Sequence, residues 1–381
     1  MAARLALAVA TGAASVLPGF LVGALALQIR GDLDVRVEAV VAGVTVFFLA
    51  GALGASWGGR LADHVGAVRA MRWCVLITSA CLLAAALFSH TLVVLLLLLA
   101  VAGISNAVCQ PAINLFVSEQ VPADRQGLGF GIKQSGIPAA ILVSGLALPV
   151  LAIPLGWRTT FALCALGPLA VWVALPRETS VHVSRRPASR RPSRALVLTA
   201  IGAALATAGP SALGAYLVAS AVDVGIAEGT AGLLAALGSG LSLAVRVSLG
   251  ARADRRRDYG LSTVVVLLAA GSLGFALMAT DAVPSFVAGA LLAFTLGWGW
   301  PGLFNLAVVD SNRETPATAS GISQTGVYVG AGAGPAAFGA LYAQAGHGTA
   351  WLFVAGTTLL AAGVIWLAGR ADRRIRTVSR V

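Results

Sequence analysis

Lysine occurs once in this chain of 381 residues, at position 133, although 26 side chains are basic. Charge as a whole is scarce: 11% of residues are Asp, Glu, Lys or Arg, against about 25% in ordinary soluble domains. So few charges cannot cover a water-facing surface, which excludes a soluble globular protein. Cys74, Cys81, Cys109 and Cys164 all fall inside apolar runs with no histidine at ligand spacing, so neither a disulfide framework nor a zinc site is expected. His64, His90, His182 and His347 sit in loops or at the ends of runs and are expected to be solvated. No Asp or Glu lies near the middle of a run, so the buried carboxylate that proton-coupled carriers often use is missing. A paired acid and base, a nucleophile with its base and a metal cluster are missing from the runs too, which argues against an enzyme and leaves no cofactor to expect.

What the chain has is apolar sequence: 58% hydrophobic residues and a mean hydropathy of +0.88. A crossing of the bilayer needs about 20 such residues. Twelve stretches qualify, at residues 5–27, 39–58, 71–89, 92–117, 128–153, 159–176, 195–219, 230–249, 261–280, 285–309, 317–342 and 350–368. The first outruns the about 7–15 apolar residues of a secretion signal and contains Pro18, so it is expected to stay as the first helix. Nucleic-acid binders gather charge on polar segments. Here the net charge of +11 comes from short arginine islands between apolar runs, so the expected partners are the lipid bilayer and a small-molecule substrate, with no nucleic acid. Placing the N-terminus inside puts twenty-one basic residues in cytoplasmic segments and three, Arg30, Arg36 and Arg158, outside. Positive loops face the cytoplasm. The expectation is a multi-pass plasma-membrane protein, acting as a monomer, with both termini cytoplasmic.

The sequence also repeats. Gly131-Ile-Lys-Gln-Ser-Gly136 recurs 190 residues on as Gly321-Ile-Ser-Gln-Thr-Gly326, and Pro111 recurs as Pro301. Gly59 and Asp63 recur as Gly250 and Asp254, 191 on, and Pro18 as Pro210, 192 on. The expected architecture is therefore an all-α membrane protein of 12 transmembrane helices in two pseudo-symmetric six-helix bundles, 1–176 and 195–381. A basic cytoplasmic linker, 177–194, joins them. An even helix count in each half makes their topologies equal, related by an axis along the membrane normal.

Between the second and third runs lies Gly59-Arg-Leu-Ala-Asp63-His-Val-Gly66-Ala-Val-Arg69, and between the eighth and ninth Gly250-Ala-Arg-Ala-Asp254. This pattern resembles the signature loop of the major facilitator superfamily and its degenerate second copy. The resemblance covers essentially the whole chain, and positions 67 and 68 depart from it, being Ala and Val where the family has basic residues. It implies a gating role for Gly59, Asp63, Gly66, Arg69, Arg246, Gly250 and Asp254. Asp63 would sit at the start of the eleventh helix and Asp254 at the start of the fifth, where unpaired N–H groups and the helix dipole favour a carboxylate.

Lys133 and Arg246 are the two basic residues inside apolar runs. Arg246, four residues before Gly250, is expected to snorkel or to pair between bundles. Lys133 either snorkels as well or meets an anionic or electron-rich substrate. Asn106, Gln110 and Asn114 share one face of the fourth helix, and a face of amides turned to lipid is costly. The resemblance makes the first, fourth, seventh and tenth helices line the cavity. On the fourth and tenth helices that points to Asn106, Gln110, Trp298, Trp300 and Asn305, and with Lys133 and the repeat-related pair Gln134 and Gln324 these are the candidate substrate contacts. Gly321, Gly330, Gly334-Pro335 and Gly339 look like the family's antiporter motif but lie on the eleventh helix, where close packing is the simpler account. The expected function is secondary-active transport of a small organic solute by alternating access. Drug or metabolite efflux and uptake or uniport of a small anion both remain open. A transporter-like receptor is disfavoured by a longest polar segment of only about 18 residues, too short to fold by itself.

Overall fold

The computed structural model describes residues 2–122, 125–177, 193–255, 260–312 and 316–378, and among them every regular element is helical. In hydrocarbon a backbone must satisfy its own polar groups, which helices do within one segment. The first elements are α1 (Ala2–Ala24), α2 (Ala26–Leu33), α3 (Val37–Val65), α4 (Ala67–Phe88) and α5 (Leu92–Gln120). They are followed by α6 (Gln126–Lys133), α7 (Gly136–Ala147), a π-helical turn (Leu148–Ala152), α8 (Ile153–Cys164) and α9 (Leu166–Ala174). Next come α10 (Arg194–Asp223), α11 (Glu228–Arg255), α12 (Leu261–Leu277) and α13 (Val283–Leu292). A second π-helical turn (Ala293–Gly297), α14 (Pro301–Ser311) and α15 (Pro316–Val378) complete the chain. Nine stretches among the described residues are long and apolar enough to cross a membrane. Two of them are too long for a single crossing: 131–174 spans 44 residues and 321–370 spans 50. Each is broken at a glycine with positive φ, Gly156 (φ 82°) and Gly346 (φ 77°). Nothing lies near an added Cβ at either position, so it is the left-handed backbone, not crowding, that calls for glycine there.

Small residues set the helix contacts. Lipid supplies no hydrophobic drive between helices, so close van der Waals approach has to hold them. Gly326, Gly330 and Gly334 on α15 face the carbonyls of Ala200, Ala204 and Ala208 on α10, and a methyl group at any of the three would collide with backbone. The glycine pattern of this helix is thus a packing seam. Gly145 on α7 and Gly232 on α11 meet reciprocally: a Cβ on the first would come within 2.6 Å of the Gly232 oxygen, and one on the second within 2.7 Å of the Gly145 oxygen. At Gly23 on α1 a Cβ would approach Ala215 Cα of α10 to 2.9 Å.

The helices expected over 128–153 and 285–309 are both interrupted. The first breaks at Gln134–Ser135 and the second at Trp298–Trp300, ahead of Pro301. The linker expected at 177–194 lies outside the described residues except at its two ends.

Candidate functional site

Asn106 and Gln110 lie one helical turn apart on α5 and share a stripe. From α1, Ser15 Oγ donates to Asn106 Oδ1 at 3.0 Å, and Gln110 Nε2 donates to the same oxygen at 3.3 Å. Lys133, the last residue of α6, completes the ladder by donating Nζ–H to Gln110 Oε1 at 2.9 Å. At 6% exposure Lys133 does not snorkel to water. Its ammonium has three donors, and this is the one acceptor it reaches among the described residues. Asn114, half-buried, stays outside the ladder.

Immediately beyond Lys133 the helix breaks, and the break leaves the Gln134 carbonyl free to bond elsewhere. It accepts from Arg246 Nη1. Arg246 Nε and Nη2 both donate to the Trp298 carbonyl, at 3.0 and 2.7 Å, at the second helix break. The guanidinium also lies 5.6 Å from the Trp298 ring centroid. Arg246 is 1% exposed, so of the two expectations snorkelling does not hold, and the link to the first half is made to the main-chain oxygen of Gln134 instead of to an acid. The physical reason is that two broken helices offer carbonyl oxygens that a planar fork of N–H groups can bond, and water is not needed to solvate the charge. Gln134 itself is buried, and Trp298 packs against Phe20 of α1 at 6.1 Å and Phe294 at 6.2 Å between ring centroids.

The other candidates separate. Trp300 is buried in a different cluster, edge-on to Phe304 and among Leu196, Ala203 and Leu303. Asn305 and Gln324 are half-buried and make no hydrogen bond among the described residues. Of the loop residues, Gly66 joins α3 to α4 with φ 86° and is buried, while Arg69 is exposed. Gly250 packs on the start of the fifth apolar run, its Cα 3.4 Å from where a Cβ on Gly131 would stand. The side chains of Asp63 and Asp254, and the surroundings of Gly59, lie outside the described residues. Arg72, three residues after Arg69, turns instead to α9: Nη1 donates to the carbonyls of Trp172 and Leu175 at 2.9 and 2.7 Å, with the guanidinium 4.5 Å from the Trp172 ring centroid.

A family model, that of the Major Facilitator Superfamily, matches residues 6–200. The chain belongs to the Major Facilitator Superfamily. It is thus a multi-pass membrane protein of a transporter family. Similar proteins include an uncharacterized MFS-type transporter of Mycobacterium tuberculosis, in strains CDC 1551 / Oshkosh and H37Rv. Each is 27% identical over 332 residues, covering 78% of this chain and 71% of the relative. Members of this superfamily bind small-molecule substrates within the membrane, and Ser15, Asn106, Gln110 and Lys133 fall within three of the stretches apolar enough to cross it.

Tyr328 is a buried polar residue that the sequence did not single out. It lies on α15, with a hydroxyl that has no hydrogen-bond partner among the described residues. The available signal was its position, one helical turn after Gln324 and so on the same face.

Proposed function

We propose that this superfamily member is a secondary-active transporter of a small organic solute, working by alternating access of two six-helix bundles, residues 1–176 and 195–381. The observation that carries this is the recurrence of its backbone turns. Asp34 (φ 50°) and Gly225 (φ 90°) stand 191 residues apart, and Gly156 and Gly346 stand 190 apart. These are the sequence-repeat offsets, and four of the five positive-φ residues described pair in this way. Close contacts follow the same offset: Gly103 lies against Phe47, and at positions 191 further on Phe294 lies against Gly238, with large and small exchanged. Breaking 131–174 at Gly156 and 321–370 at Gly346, and counting the 17-residue apolar helix Leu261–Leu277, would make the nine stretches twelve crossings. Substrate would meet Lys133, Gln134, Asn106, Gln110 and Trp298, with Trp300, Asn305 and Gln324 further along the path. Gly59, Asp63, Gly66 and Arg69, with Arg246, Gly250 and Asp254, would gate the cytoplasmic side. Both termini would be cytoplasmic in the plasma membrane, and the unit a monomer.

One observation favours the small-anion reading over a neutral solute: the buried Lys133 ammonium bonds one neutral amide oxygen and has no carboxylate partner among the described residues. Removing a cation from water without compensation is costly, and an anionic substrate would supply the missing charge.

The test is a cross-link between the halves. A Cβ on Gly332 of α15 would stand 3.3 Å from the Leu49 nitrogen of α3, close enough for a disulfide in Leu49→Cys/Gly332→Cys. In proteoliposomes, counterflow of compounds that stabilise the protein thermally should be saturable in the reduced variant and abolished on oxidation, while each single variant ignores the oxidant. Flux unchanged by a fully formed cross-link would overturn alternating access between these halves.

A further inference from the structure

The hexapeptide that recurs in the sequence, Gly131–Gly136, touches four other helices within six residues. A Cβ on Gly131 would stand 3.2 Å from the main-chain oxygen of Arg246 and 3.4 Å from Gly250 Cα, both of α11, and one on Gly302 of α14 would stand 3.4 Å from Gly131 Cα. The two halves of the chain therefore meet there through bare backbone. At the other end a Cβ on Gly136 would stand 3.1 Å from the Ala13 nitrogen of α1. Between these glycines the chain is tethered at consecutive residues. Lys133 Nζ donates to Gln110 of α5, within the first half, and the Gln134 carbonyl accepts from Arg246 of the second. The turn is short and held from inside: Ser135 N donates to the Ile132 carbonyl at 3.0 Å and Ser135 Oγ to the Gly131 carbonyl at 3.2 Å. In the second copy Thr325 Oγ1 bonds the Gly321 carbonyl in the same way, at 3.1 Å, but α15 runs through unbroken and Ser323 stands where the first copy has lysine. Nothing lies within 4 Å of a Cβ on Gly321. Among the described residues, the break, the cation and the close contact at the leading glycine occur together in the first copy alone.

One rigid peptide plane and the φ and ψ of Gln134 are all that separate the Lys133 Cα from the carbonyl that Arg246 holds. Bond lengths alone keep the ammonium within about 16 Å of the guanidinium. Both charges are buried, and buried charges are screened far less than exposed ones. Two cations so placed repel, and Arg246 would leave with the second half when the halves part at Gly131. An anion on Lys133 removes that repulsion. We infer that the Lys133–Ser135 turn couples the substrate position to the gate that the proposed topology puts on the cytoplasmic side: neutralising Lys133 favours the latch between Arg246 and the Gln134 carbonyl, so that an anionic solute closes that side over itself. The coupling is reciprocal, and a chain whose latch is broken holds the anion less tightly. This inference rests on the transporter reading and gives the site of that reading its regulation.

The experiment uses the full chain in membranes and follows the rate at which N-ethylmaleimide alkylates one introduced cysteine at a time. The reporters are Asn305→Cys of α14, three residues past Gly302, and Ala215→Cys of α10, which lies against Gly23 towards the opposite side. The four native cysteines are buried, and the chain without a reporter supplies the blank. Arg246→Gln should raise the Asn305→Cys rate and lower the Ala215→Cys rate, each about tenfold, the loss of one hydrogen bond to a charged group between the halves. Lys133→Met, which removes the charge as an anion would, should move both rates the opposite way by about fivefold, the repulsion of two charges at that separation. In the Arg246→Gln chain Lys133→Met should have no effect, because the charge that it relieves is gone. Should Arg246→Gln fail to fold, Gly131→Ala replaces it: its Cβ presses on the Arg246 and Gly250 backbone with both charges in place. It should raise the Asn305→Cys rate, and Lys133→Met should reverse part of the rise. A Lys133→Met effect of equal size with and without Arg246, or in the same direction as Arg246→Gln, or of zero, would overturn the coupling and leave alternating access standing. Rates that rise or fall together at both reporters would overturn alternating access itself.

Discussion

Arg246 of α11 donates two hydrogen bonds, from Nε at 3.0 Å and Nη2 at 2.7 Å, to one acceptor, the carbonyl oxygen of Trp298. A third bond, from Nη1 to the Gln134 carbonyl, ties the same guanidinium to the turn between α6 and α7. One side chain thus fastens together two helix breaks more than 160 residues apart in sequence, at 134 and 298. Neither break offers an acid, so it is backbone dipoles that hold the charge.

Replacing Arg246 by Lys keeps the charge and loses the fork. A lysine cannot reproduce the paired approach to one oxygen and the third bond beyond it. Each hydrogen bond to a charged group contributes about 1.5–3 kcal/mol. The melting midpoint of Arg246→Lys in detergent should fall by several degrees and its transport by at least about tenfold, while Arg252→Lys, at an exposed position, should behave as wild type. An Arg246→Lys protein that melts and transports normally would show that the clamp is dispensable.

Glycine positions divide sharply by what a Cβ would meet. Gly330→Ala should force α15 off α10 and destabilise the protein strongly, because the added methyl collides with the Ala204 backbone. Gly321→Ala, with nothing within 4 Å, should change stability by no more than about 0.5 kcal/mol. Gly145→Val should part α7 from α11 and slow transport. Thermal melts of the three variants check the order, and equal melting points for Gly330→Ala and Gly321→Ala would contradict the packing seam.

Arg72 closes the end of α9 by bonding the Trp172 and Leu175 carbonyls. The last carbonyls of a helix have no intrahelical partner, and a cation suits that end of the dipole. Arg72→Ala should lower the melting midpoint and leave the affinity for any transported compound unchanged. A change in affinity at constant stability would instead tie Arg72 to the gating loop.

Topology can be read with reporters. A fluorescent protein fused after Val381 should fold and glow in the cytoplasm, and alkaline phosphatase fused after Asp281, between α12 and α13, should be active outside. The reverse pattern would invert the arginine-based orientation.

Much of the fold was legible because a membrane crossing needs only length and hydropathy, both local properties. The repeat was legible too, since Gly131–Gly136 and Gly321–Gly326 preserve identity at a constant offset. The site was legible as a set of residues rather than as an arrangement. Trp298 and Trp300 looked like one aromatic feature, but two residues along a helix are about 200° apart in direction. With Pro301 forcing a break, one faces Arg246 and Phe20 and the other the Leu196–Phe304 cluster. The interruption after Lys133 had no proline to announce it, so the acceptor that it frees for Arg246 was invisible. Tyr328 was overlooked because a single phenol in an apolar run gives no pattern.

The sequence by itself determined that this chain lives in a bilayer, which loops carry the positive charge, that its halves repeat, and that lysine is used once. These are sums over local composition or comparisons at a fixed offset, and no contact is needed to read them. Only the tertiary structure decided that Lys133 bonds Gln110 while Arg246 bonds two main-chain oxygens. A hydrogen bond acts over about 3 Å. Whether two polar side chains in different helices meet at that range depends on where each helix breaks and how closely its glycines let it approach.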